Sequence, residues 1–265
     1  MLNGEFEEIV IVGAGRLAKH LGLALFEQGL KIIQIYNRTP ESGRDLAGKV
    51  GAAYTDDLQK INSGADLYIL AVADSVLEDL SSVLRLDGKL VVHASGTIDM
   101  DVLSPVSLNR GVFYPLQTFS QNGSVDFRRV PICIEGSSQE SLRQLKTLAD
   151  KISRNVHYLN SEKRRILHLG AVISSNFTNF LYAITEDLLR SNEIPLSLLE
   201  PLIQQTAGNV KHGNLFLSQT GPAARNDYKV LEKHRELLAG YPDFLEIYNL
   251  LSENIINYKP PHGKL

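Results

Sequence analysis

Over roughly the first 160 positions, apolar residues come in short unbroken runs, separated by stretches in which they recur every third or fourth place. The runs are EIVIVG (8–13), KIIQIY (31–36), LYILAV (67–72), KLVVHA (89–94), GVFYP (111–115) and VPICIEG (130–136), with NVHYL (155–159) as a possible further one. Short and rich in β-branched residues, they predict strands. The first four show no polar alternation, which predicts burial on both faces and a parallel sheet with helices on either side. Residues 1–160 are therefore expected to form a doubly wound, mostly parallel α/β domain.

Beyond about residue 160 the strand pattern stops and helical periodicity takes over. Ser161 is expected to cap a long helix running to about Asn192, and SLLE at Ser197–Glu200 reads as a capping box opening a second that ends near Gly213. His212 would mark that end, where a basic residue complements the helix dipole. Asn226 or Asp227 can open a third helix, with Gly240 as its stop, and PDFLEIYNLLSENIINY supplies a fourth. Residues 161–265 are thus expected to be an all-α domain, closed by a frayed KPPHGKL tail.

Composition adds bounds. The chain has 265 residues, 43% of them hydrophobic, enough for two unequal domains. Its formal net charge of -3 gives no general attraction to nucleic acid or anionic lipid, and basic residues gather only at EKRR, Glu162–Arg165. No apolar run approaches the about 18 residues of a membrane span, and MLNGEFEEIVIVG lacks a basic segment followed by a cleavage site, so a cytoplasmic protein is expected. The single cysteine, Cys133, excludes an internal disulfide and offers no thiolate cluster for a metal; within VPICIEG it reads as an inert core thiol.

Candidate chemistry begins at the first strand's end. Gly13, Ala14, Gly15, Arg16, Leu17 and Ala18 form the G-x-G-x-x-A turn of dinucleotide-binding sheets. Gly13 permits the tight turn, Gly15 lets backbone approach a pyrophosphate, small Ala18 lets the helix pack closely, and the helix N-terminus faces the anion. The competing reading is a tight turn with no ligand. The second strand ends in Tyr36, Asn37, Arg38 and Thr39, with no carboxylate until Glu41. Arg38 can hold a 2′-phosphate in its planar fork, with Asn37 and Thr39 as added donors, which favours NADP(H) over NAD(H).

In such sheets ligands bind outside the carboxyl ends of the strands. Those ends carry Val72, Ala73 and Asp74 beside the cofactor, then His93, Ser95, Gly96 and Thr97, then Gln117. His93 is either a proton donor at the rim or a neutral imidazole bonded to the turn after it. On the long helix, a 100° wheel puts His168, Ser175, Asn179, Tyr182 and Glu186 on one stripe with Asn176 beside it, opposite an apolar face. The stripe suits a cleft for a polar ligand, or it is a solvated face. Asp227 suits an N-cap, and Arg225 is a candidate for an anionic group.

Together, VGAGRLA with YNRT, VVHASGT, GVFYPLQTFS, HLGAVISSNFTNFLYAITEDLL and TGPAARNDYKVLEKH resemble a family of Rossmann-like proteins that carry a C-terminal domain of unknown function 2520 and are catalogued as NADP oxidoreductases. More distantly, the chain is similar to the superfamily of 6-phosphogluconate dehydrogenase, β-hydroxyacid dehydrogenases, ketopantoate reductase and pyrroline-5-carboxylate reductase. That resemblance implies an NADP-binding domain, a helical domain that dimerises, and a substrate site in the cleft between them. It also marks a departure: where the dehydrogenases carry a lysine and an asparagine four residues on, His168 is followed by Val172, and Asn176 comes later. The expectation is hydride transfer between NADP(H) and a carbonyl or imine carbon of a small polar substrate. His93 is the first proton donor and His168 the second; Asn176 assists, and Ser95, Gly96, Thr97, Gln117, Ser175 and Asn179 contact the substrate. A cofactor-binding sensor or scaffold that docks a protein partner, and transfer from NADPH to a deazaflavin, are the alternatives.

Overall fold

The structure, a computed structural model, describes residues 6–120, 123, 125–213 and 215–258. The expected C-terminal tail lies outside them. By packing, the chain divides into two compact units, one up to Phe177 and one from Thr178.

The first unit holds a sheet of eight strands: β1 (Ile9–Val12), β2 (Ile32–Tyr36), β3 (Ala53–Thr55), β4 (Leu67–Leu70), β5 (Leu90–His93), β6 (Arg110–Pro115), β7 (Ile132–Gly136) and β8 (Val156–Tyr158). Their spatial order is β3-β2-β1-β4-β5-β6-β7-β8. Every neighbouring pair is parallel except β6 and β7. Helices α1 (Arg16–Glu27), α2 (Pro40–Val50), α3 (Asp74–Val83) and α4 (Gln139–Ile152) connect strands across the two faces.

The continuous apolar runs follow from this layering. Ile9 and Ile11 of β1 pack on one face with Leu21, Leu46 and Leu148, while Val10 and Val12 join Tyr68, Leu77 and Leu80 on the other. Both faces of the strand are wanted in the core, each large aliphatic side chain contributing about 1.5–3 kcal/mol. The strand that the pattern missed is β3, Ala53–Thr55, a three-residue edge strand with Ala53 exposed and no apolar run to announce it.

Helix α5 (Ser161–Ala171) packs within the first unit, which runs on to Phe177. Asn160, and not Ser161, caps it, accepting the Lys163 N–H at 3.0 Å. Ser161 is buried instead and gives its hydroxyl and backbone N–H to the Glu135 carboxylate at 2.8 and 3.0 Å. One turn on, Arg164 is completely buried. It pairs with Glu135 of β7, donates to the Ile98 carbonyl and donates to Ser161 Oγ at 3.1 Å. The Met100 N–H, at 3.1 Å, also reaches Ser161 Oγ. One cation thus ties β7, α5 and the segment after β5 together. After α5 the backbone makes a π turn, Val172–Phe177, where the sequence predicted regular α-helix.

The second unit is helical: α6 (Thr178–Arg190), α7 (Glu200–Gly208), α8 (Tyr228–Leu237) and α9 (Pro242–Asn257). The capping box at Ser197 does not form. A helix begun there would need the N–H of Pro201 for its first hydrogen bond, and proline has none. Residues Leu196–Leu199 make a 3₁₀ turn instead, and α7 starts at Glu200 without a side-chain cap. A further 3₁₀ turn, Asn209–His212, follows α7. Asp227 caps α8 by accepting the Val230 N–H at 3.3 Å, while Asn226 takes the left-handed backbone at φ 55°.

Because removing one partner leaves the other charge buried and unpaired, Arg164→Met should destabilise the protein by about 3–5 kcal/mol. Urea unfolding at neutral pH measures it, and a loss below about 1 kcal/mol would mean that Arg164 does not anchor α5.

Candidate functional site

The sheet reverses its winding between β1 and β4, where a crevice opens at their carboxyl ends. Gly13 turns the chain there at φ 112°, its N–H bonded to the Tyr36 carbonyl at 2.7 Å. A Cβ on Gly13 would lie 2.3 Å from the Ala71 oxygen, so the turn and the end of β4 are in contact through the missing side chain. Gly15 precedes α1 with open space over its Cα. The first turn of α1 has neither a side-chain cap nor an acidic residue. Uncapped backbone donors at a positive helix end, beneath a bare Cα, fit an anion such as a pyrophosphate.

A hollow of about 250 Å³ lies beside this turn and is lined by Gly13, Ala14, Gly15, Asn37, Arg38, Thr39, Val72 and Ala73. Arg16 lines an adjoining hollow with Lys19 and Ser42. The two other residues expected at the cofactor are used elsewhere. Leu17 packs on the main core, and Asp74, first residue of α3, accepts the Thr97 hydroxyl. Arg38 is exposed, with no hydrogen bond or ion pair of its guanidinium among the described residues, and is free to meet a phosphate. Asn37 is not free: its Oδ1 accepts the Ala14 N–H at 3.0 Å, and its Nδ2 donates to the Thr39 carbonyl at 2.8 Å and Ser42 Oγ at 2.9 Å. It shapes the loop where the sequence suggested a phosphate donor.

At the end of β5, His93 is fully buried. Its Nδ1 accepts the Ser95 N–H at 3.1 Å, and its Nε2 is buried with no partner among the described residues. Burial, and then the nearby Arg164 guanidinium, push its pKa down to about 4. The imidazole is therefore neutral near pH 7 with its proton on the buried Nε2, and its burial favours the reading of a strand-end strut over that of a reagent. The turn that follows bonds to itself: Ser95 Oγ accepts the N–H groups of Thr97 and Ile98, each at 3.0 Å. Ser95 and Thr97 thus hold the turn.

Gly96 makes room for the neighbouring helix. A Cβ on it would lie 2.5 Å from His168 Nδ1 and 2.9 Å from Tyr114 Cζ. Over this gap Tyr114 Oη and His168 Nδ1 share a hydrogen bond at 3.0 Å. Burial pushes the Tyr114 phenol up to about 12, so it keeps its proton at physiological pH. The pair opens on a hollow of about 270 Å³ shared with Gln117, Thr118, Ser175 and Asn176. Here the π turn brings Ser174, Ser175 and Asn176 to the same wall, and Ser175 Oγ meets Thr118 Oγ1 at 3.2 Å. Such turns often occur at functional sites. Asn179 lies beyond the π turn, exposed on α6 of the second unit. Cys133 is buried, its thiol pushed up to about 11 by burial, as suits a core residue.

Residues 8–96 match the family model for NADP oxidoreductase, coenzyme F420-dependent, and residues 130–255 match that of the domain of unknown function 2520. A solved Bacteroides fragilis protein assigned as an NADP oxidoreductase is 42% identical over 96% of this chain and 99% of its own, with a TM-score of 0.89. The chain belongs to the NADP oxidoreductase family that carries domain 2520. NADP(H) is the cofactor of that family. The same fold recurs, at 16% identity, in a reductive aminase from Aspergillus terreus solved with NADPH and ethyl-5-oxohexanoate, which matches over 94% of this chain and 93% of its own (TM-score 0.70). Among curated proteins, the NADP(+) shikimate dehydrogenase of Rhizobium meliloti is 31% identical over 41% of this chain and 35% of its own. The chain thus spans about a third of that relative's length.

Three residues carry more than the sequence showed: Tyr114, which stood at a strand end with no role assigned, Glu135 and Arg164. Arg164 looked like part of a surface cluster, but Ser161, Arg164 and His168 share one helix face at i, i+3 and i+7, a register that could have exposed it.

Since His93 binds a proton more readily when unfolded, its contribution to stability is present above about pH 6.5 and lost as pH falls toward 4. That loss should reach about 3 kcal/mol, and His93→Gln should flatten it. Urea unfolding between pH 7 and 4.5 reads the difference; equal slopes in both proteins would show that His93 is not held neutral.

Proposed function

We propose that the chain is an NADP(H)-dependent oxidoreductase that moves hydride between the nicotinamide and a carbonyl or imine carbon of a small polar substrate. The observation that carries this reading is the pairing, on one sheet, of an uncapped glycine turn with a hollow headed by the Tyr114–His168 hydrogen bond. Gly13 to Arg16 would take the pyrophosphate, and Arg38 with Thr39 the 2′-phosphate, a task for which a guanidinium fork is suited. Val72 and Ala73 would flank the nucleotide. Bound NADPH supplies the hydride.

The protein's own part is to place the substrate and move a proton. As the carbon gains hydride, the π pair of its C=O or C=N bond shifts to the heteroatom, which takes a proton from Tyr114. His168 then relays a proton from solvent to the phenolate, its Nε2 taking one up as its Nδ1 gives one. His168 thus replaces His93 as the leading histidine, and Gln117, Ser175 and Asn176 orient the substrate.

A homodimer through the second unit belongs to the same reading. Among the described residues of that unit only Ala223, Leu231 and Leu238 are buried hydrophobics, while Phe180, Leu198, Leu202 and Leu250 are 54 to 68% exposed. So much apolar surface calls for a covering partner, and a second copy would supply it. No described helix is long and apolar enough to cross a membrane, and a cytoplasmic location is proposed.

Titration followed by nicotinamide fluorescence should give micromolar NADPH binding, at least about tenfold tighter than NADH, and Arg38→Asp should weaken NADPH on the order of 100-fold. Failure of both nucleotides to bind removes the reading. With binding retained, His168→Gln should lower turnover by about 100-fold or more, the usual scale of lost acid–base catalysis.

A further inference from the structure

The hollow beside Tyr114 has a definite electrostatic character. Its polar wall comes from Tyr114, Gln117, Thr118, His168, Ser175 and Asn176, over an aliphatic floor. Among its described lining residues there is no aspartate, glutamate, lysine or arginine. The charged groups of nearby elements lie outside this wall and bond elsewhere. Arg164 is buried against Glu135, and Asp74 accepts the Thr97 hydroxyl. An ion entering the hollow would find no countercharge on this wall, whereas a neutral ligand needs none.

The remaining groups are mostly donors. Gln117 uses its carbonyl oxygen on the Thr118 N–H at 2.8 Å, which leaves its amide N–H groups to give. Thr118 and Ser175 bond to each other at 3.2 Å, so one of their two hydroxyl protons stays available. With its proton on Nδ1, 3.0 Å away, His168 donates to the Tyr114 oxygen, and the phenol's own O–H is left for the head of the cavity. A neutral acceptor that spreads several hydrogen bonds over carbonyl and amide or hydroxyl groups complements such a wall.

We propose that this hollow takes an uncharged carbonyl compound, its carbonyl oxygen on Tyr114 and its polar remainder on Gln117, Ser175 and Asn176, and rejects both carboxylates and protonated imines. The proposal rests on the oxidoreductase reading and narrows its substrate to one charge state. A protonated imine needs an anion beside the reacting nitrogen, and an oxo acid needs a cation beside its carboxylate. Neither is on this wall.

The test uses three probes of one shape: cyclopentanone, cyclopentanecarboxylate and cyclopentylammonium. Each is titrated into the ¹⁵N-labelled full-length protein, with and without saturating NADP⁺, at about pH 8.5, where the carboxylate and the ammonium probes are both charged. The ketone should bind at least about tenfold more tightly than either ion, moving the amides around Gln117 and Ser175, and Tyr114→Phe should weaken it by about tenfold. Asn176→Asp, which puts a carboxylate on the same wall, should raise the affinity for the ammonium by about tenfold. Equal or tighter binding of either ion to the unaltered protein overturns the proposal, and so does no binding of any probe. Ketone preference in a protein that takes up no NADP⁺ would leave the neutral hollow standing and remove the oxidoreductase reading instead.

Discussion

A single guanidinium holds the functional half of this protein in register. Arg164 lies wholly inside the first unit, between the Glu135 carboxylate on β7 and the Ile98 carbonyl beyond β5. A buried ion pair is seldom the most stable way to fill a core, and an apolar triad of similar volume often does as well. What it adds is direction. Its planar fork fixes two bonds at a set angle, so α5 is held in both rotation and height. His168 stands one turn further along that helix, and its place over Gly96 follows from the anchor below it.

The polar groups at the strand ends divide into two sets. One set bonds inwardly: His93 to the Ser95 N–H, Ser95 to the two N–H groups after it, Thr97 to Asp74. These groups make a stiff turn with little left to offer a ligand. The other set, headed by Tyr114 and His168, faces a hollow. Residue type alone does not sort them, because a histidine or a serine serves equally well in either set.

That sorting explains what the chain reveals before its fold is known. The glycine turn and the buried strands are legible because local chemistry dictates them: only certain spacings let a strand turn into a helix under a phosphate. Asn37, His93 and Leu17 sit where expected, yet their roles depend on neighbours 20 to 70 residues away, beyond any local pattern. The π turn was hidden because its residues carry an ordinary helical composition; the extra residue per turn shows only in the backbone. Tyr114 was visible at a strand end, but its partner His168 reaches it through a gap that one missing Cβ creates.

Asn37 links two loops that must cooperate. Its amide holds Ala14 of the glycine turn on one side and Thr39 and Ser42 of the next turn on the other, while its own carbonyl receives the Tyr54 hydroxyl. In sheets of this kind the simplest exchange of one nucleotide for another puts an acid at the end of the second strand. Here an aspartate would keep the bond to Ala14 but turn two donors into an oxygen facing the Thr39 carbonyl. The mutational path between cofactors is therefore narrow, since the residue that would have to change is also the clasp between the loops.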